Sequence, residues 1–152
     1  VASAFVVAQI LIGGLVRHHH ATLACLDVPF CQGELFPTAG VQQLQMLHRA
    51  FGVVTAIVTI TVAIRIARCC TGRAALRRLR LAAVLAPVLV IGQIALGVYT
   101  VLTLRAVPLA VAHFAGAAAL WLLWVTLYLS TRQVARAELA TRGVGAATTV
   151  TS

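Results

Sequence analysis

Residues 43–64 read QLQMLHRAFGVVTAIVTITVAI, residues 65–80 read RIARCCTGRAALRRLR, and residues 82–104 read AAVLAPVLVIGQIALGVYTVLTL. A helix rises ~1.5 Å per residue, so ~20 apolar residues cross a ~30 Å hydrocarbon core. Both apolar runs reach that length, and the stretch between them carries six arginines, which do not belong in lipid. The pattern predicts two membrane-crossing helices joined by a basic loop. The runs are continuous rather than alternating, which speaks for helices and against barrel strands. Working outward, further apolar runs cover 1–16 and 106–130. The expected fold is an all-α polytopic membrane protein, a four-transmembrane-helix bundle built from two helical hairpins. Its domain spans 1–130 with a loop over 17–42, and a tail follows at 131–152. The end of that tail, LATRGVGAATTVTS from residue 139, is small and polar, and the tail is expected to be partly disordered. The chain begins at Val1 inside an apolar run, so residues preceding it are expected; no cleavable signal peptide is visible.

Composition agrees. The 152 residues are 61% hydrophobic and 10% charged, with a mean hydropathy of +1.00, against about 25% charged residues in a soluble domain. The net charge of +9 comes from arginine alone, opposed by Asp27, Glu34 and Glu138. In a soluble chain this balance would suggest nucleic acid. Here it reads as orientation-setting charge beside anionic lipid, so membrane lipid is an expected partner and nucleic acid is not. Six arginines in 65–80 plus Arg132, Arg136 and Arg142 lie on one side, against Arg17, Arg49 and Arg105 on the other. The excess puts the 65–80 loop and both termini in the cytoplasm, and the 17–42 loop and the turn near Arg105 outside.

The two halves echo each other. Gln9-Ile10 and Gly13 recur as Gln93-Ile94 and Gly97, and His48-Arg49-Ala50-Phe51-Gly52 recurs as His113-Phe114-Ala115-Gly116. Each hairpin thus carries one histidine near the outer start of its second helix. An ionisable residue inside a span is a functional candidate by default. Both histidines fall roughly 7–10 Å below the outer boundary at ~1.5 Å per residue. Their helices run in the same direction, so the imidazoles share a depth and suit the two axial positions of one heme iron. Ala50, Gly52, Ala112, Ala115 and Gly116 leave room for a flat macrocycle, and Arg49 and Arg105 are candidate partners for its propionates. A pair hydrogen-bonded to backbone or to each other is the plainer alternative. Zinc would need further ligands at this depth.

The outer loop, RHHHATLACLDVPFCQGELFPTAGVQ at 17–42, puts Cys25 and Cys31 on the oxidising side, where a disulfide can persist, as a structural bridge or as an electron relay. His18, His19 and His20 form either a solvated tract or a metal-binding one. Cys69 and Cys70 belong to the cytoplasmic loop as reduced thiols.

The run Gly13-Gly14-Leu15-Val16-Arg17, the stretch from Leu23 to Gly33 with its cysteine pair, Met46-Leu47-His48-Arg49, and Gln93 to Thr103 followed by His113 resemble the heme A synthase family over about residues 8–125. The resemblance implies oxidation of a methyl group of heme O to the formyl group of heme A, in the service of cytochrome oxidase assembly. It implies heme as cofactor or substrate (heme b, or heme O/A) with iron held by His48 and His113, and a bacterial or archaeal plasma membrane. Family members commonly have eight helices in two pseudo-symmetric halves, each with a histidine pair. This chain has the residues of one half, so a homodimer would supply two sites. It departs from the pattern in three places. Gln45 stands where the catalytic half usually has a glutamate, three residues before the first histidine, and an amide cannot serve as a base. Three histidines replace the glycine-rich stretch after Arg17, and Val28 replaces the loop tryptophan. The non-enzymatic rival is a b-type cytochrome or heme carrier. A quinone-linked disulfide oxidase would need a second cysteine pair near Arg105, where there is none.

Overall fold

The structure, a computed structural model, describes the backbone of residues 1–149 and the side chains of residues 1–140. Four helices make it up: α1 (Ala2–His18), α2 (Gly40–Cys69), α3 (Arg77–Leu102) and α4 (Val107–Thr149). No β-strand element occurs among the described residues. Helices α2 and α4 are long and apolar enough to cross a membrane, as is α3 together with the short turn of helix before it. The chain is a helical membrane protein. The 17 residues of α1 span ~26 Å. The fourth helix does not stop near residue 130 but continues to Thr149. Only residues 150–152 of the expected disordered tail lie outside the described residues.

Local sequence explains the boundaries. Pro108 sits in the first turn of α4, where its missing N–H costs nothing. Pro87 lies inside α3, a placement that membrane helices tolerate when neighbouring helices cover the freed carbonyl. Thr59, Thr100 and Thr126 return their hydroxyls to the carbonyls of Thr55, Leu96 and Leu122, four residues back, which satisfies them inside apolar helices.

Each helix packs on the next, and α1 closes the ring against α4; the diagonal pairs touch little. The helices are apolar nearly all round, so burial follows residue size. Ala56, Ala63, Ala83 and Ala86 let the backbones approach, and Val6, Val90, Leu120, Trp124 and Leu127 fill between them. This cluster runs from the end where the arginine-rich loop lies to the middle of the bundle. The end under the 17–42 loop is built otherwise.

Candidate functional site

At the loop end, the two halves repeat one arrangement. His48 on α2 leans on Gly13 of α1: a Cβ placed there would lie 2.9 Å from the imidazole Cε1. His113 on α4 leans on Gly97 of α3 in the same way, at 3.1 Å. The glutamine one turn before each glycine reaches back to the histidine's own helix. Gln9 Nε2 lies 3.0 Å from where a Cβ on Gly52 would be, and the Gln93 amide lies where a Cβ on Gly116 would collide. Only glycine permits such approaches, so the sequence echo is a structural repeat. Helices α2 and α4 are diagonal in the ring, and His48 and His113 lie toward the same end of it. Both predicted histidines therefore take part in the same repeated arrangement.

Gln9 donates its amide Nε2 to the His48 carbonyl at 3.0 Å, and the same nitrogen lies 3.1 Å from His48 Nδ1. His48 Nε2 has no hydrogen-bond partner among the described residues. Five buried side-chain atoms there lack any partner, and three belong to this arrangement: Gln9 Oε1, Gln93 Oε1 and His113 Nδ1. Unpaired buried polar atoms are costly, and they mark a place shaped for something further. Two imidazoles on separate helices, with open nitrogens and small residues around them, are a donor set that fits heme iron.

The loop is fastened directly above. Cys25 and Cys31 form a disulfide. Beyond it the chain reverses through Gln32 and Gly33, both in the left-handed region (φ 54 and 83), and Cys31 and Glu34 exchange backbone hydrogen bonds. Gln45 and Arg49 lie one turn apart on α2 and so share a face. Gln45 is buried, accepts the Cys25 N–H at 2.8 Å and donates to the Thr22 carbonyl at 2.9 Å. Arg49 donates to the carbonyls of Cys25 (2.7 Å), Asp27 (2.7 Å) and Phe30 (2.9 Å). The predicted propionate partner is thus engaged in holding the disulfide loop. Arg105 is exposed in the tight turn at the same end, where Leu104 and Arg105 both take positive φ (51 and 65). The rings of His18 and His19 meet edge to face, 5.3 Å apart. Among the described residues no group of three or more His, Cys, Asp or Glu gathers to hold a metal. Cys69 is exposed and Cys70 buried, both with free thiols.

Similarity to known proteins follows the same residues. A family model described as cytochrome oxidase assembly protein, COX15-CtaA, matches residues 1–125. The chain belongs to that family. The match covers α1, α2, α3 and the start of α4 with both histidines, so the resemblance to heme A synthases is borne out. A heme A synthase of Shouchella clausii (strain KSM-K16) is 38% identical over 96 residues, 62% of this chain. That stretch is 31% of the relative's own length, so this COX15-CtaA chain spans about a third of the protein it matches. Sequence reasoning saw Gln9 and Gln93 as part of a repeat but gave them no role. The signal was available: a polar residue at the same place in both halves, one turn before a glycine. The hold of Arg49 on the loop was not foreseen, because a charged residue beside a ligand candidate reads equally well as a propionate partner.

Proposed function

We propose that this COX15-CtaA chain binds heme between α2 and α4 through His48 and His113, and that it acts as a heme A synthase-type protein, oxidising the heme O methyl group to formyl. Carrying the reading is the paired Gly–His–Gln arrangement, with one imidazole from each hairpin at one end of the bundle. When bound, heme would supply the iron for redox chemistry. The chain's own residues orient the two ligands, surround the site with apolar helices and close it from above with the disulfide loop. The arginine asymmetry supports placing that loop outside and the 65–80 loop in the cytoplasm. A homodimer would provide the two sites that the length of the Shouchella relative has room for; light scattering of the detergent-solubilised protein tests it.

A second reading, a non-catalytic b-type cytochrome or heme carrier, is favoured by one observation. Gln45 is buried and its amide is spent on Cys25 and Thr22, so the position offers no proton-accepting carboxylate. Expression in a host that makes heme O but lacks its own synthase separates the two. Extracted heme A is expected for the enzyme. A stable low-spin heme b spectrum with no heme A selects the carrier. In either case, His48→Ala and His113→Ala should each lose the low-spin spectrum; full heme content in His48→Ala would refute the ligand assignment.

A further inference from the structure

The geometry points to Gln9 as a positioning residue, its amide governing the Nδ1 edge of His48 so that Nε2 is left for iron, and to Gln93 as its counterpart in the other half. This inference rests on the heme reading above and adds to it a specific task for two residues of α1 and α3.

A neutral imidazole carries one N–H, and the group at one nitrogen decides which nitrogen can bind metal. In the structure Gln9 offers Nε2 to His48 Nδ1, while its Oε1 is buried without a partner. With a donor facing Nδ1, the imidazole proton belongs on Nε2. Ligation through Nε2 needs the opposite tautomer, with Nδ1–H donating to an acceptor. Turning the Gln9 amide about its last bond brings Oε1 to Nδ1–H and supplies that acceptor from the same side chain. The exchange gives up the bond to the His48 carbonyl and turns an oxygen toward it, so the amide must also draw back from that carbonyl as it meets the ring. In the other half, His113 Nδ1 and Gln93 Oε1 are both buried and both without partners. Gly52 and Gly116 make room for these amides, so the glycines of α2 and α4 serve the glutamines as Gly13 and Gly97 serve the rings.

Metal-bound histidines generally donate their other N–H to an oxygen, which fixes the ring and raises its basicity. A more basic imidazole favours ferric iron and lowers the reduction potential. The test is a redox titration of the purified, heme-loaded full chain, with heme content measured by pyridine extraction. Gln9→Leu should raise the midpoint potential and Gln9→Glu should lower it, each with near wild-type heme content; Gln93→Leu and Gln93→Glu should follow the same order. A merely structural glutamine would change heme content or folding without that order. Any other order, or potentials equal to wild type, overturns the inference while leaving the heme reading intact. Should a leucine variant fail to fold, as judged by helicity, the glutamate variant decides alone: a lowered potential supports the inference, and an unchanged or raised one overturns it. A wild-type protein that takes up no heme overturns the heme reading itself, and this inference with it.

Discussion

A methyl group added at Gly13 would lie 2.9 Å from Cε1 of His48, whereas one added at Gly14 would meet nothing within 4 Å. The two residues are adjacent on α1, so they form a matched pair for mutation. Gly13→Ala must push the imidazole aside, and a displaced ligand or supporting group typically costs about tenfold or more in metal affinity. Gly14→Ala should leave binding unchanged and favour the helix by roughly 0.5–1 kcal/mol. Heme titration of both variants checks the contrast, and equal affinities would mean the Gly13 contact does not matter. At this scale much was legible. His48 and His113 stood out because ionisable groups are rare in apolar helices. The glutamines did not acquire a role, because in a helix apolar on every side periodicity does not say which neighbour a polar side chain will meet.

Among the elements, the loop over 17–42 and helix α2 behave as one unit. A single guanidinium gathers the carbonyls of Cys25, Asp27 and Phe30, and Gln45 secures the Cys25 N–H from the turn before. Lysine keeps the charge but not the planar fork that reaches several acceptors. Hydrogen bonds to charged groups contribute about 1.5–3 kcal/mol, so Arg49→Lys should expose residues 26–36 to proteolysis at least about tenfold faster, with helicity unchanged. A variant that loses heme but keeps the loop protected would return Arg49 to the propionates. The far end differs. Arg73 meets Glu138 at 2.6 Å, and the carboxylate holds the guanidinium protonated more firmly still, but the side chains are 52% and 43% exposed. Such a pair is screened by salt and contributes little to stability. The helices themselves were legible from apolar length and the arginine break. The continuation of α4 was not, because its last turns carry no membrane-type hydropathy and the small polar residues there resemble a tail.

Over the whole molecule, the apolar cluster and the polar arrangement form adjoining layers of one ring of helices. Val6, Ala63, Ala86 and Leu127 belong to the first; Gln9, Gly13, His48, Gly97 and His113 belong to the second. A ligand that binds only the folded state stabilises it, and most where it makes its contacts. Removing heme should therefore speed amide exchange around Gly13, His48, Gly97 and His113, while exchange around Ala63, Ala86 and Leu127 changes little. Uniform loosening along the helices would place the ligand elsewhere. The two hairpins were legible in the sequence, but not the division between the layers, which depends on which small residues meet across helices.

That division also says where the molecule can yield. Four rods glued at one end have their stiffness there and their give at the other, as in a pair of tongs. The loop, cinched onto α2 by Arg49 and Gln45, ties the tips of α1 and α2 together. A flat guest arriving from the surrounding lipid would then have to part only the tips of α2 and α4, with the glued end as the fulcrum.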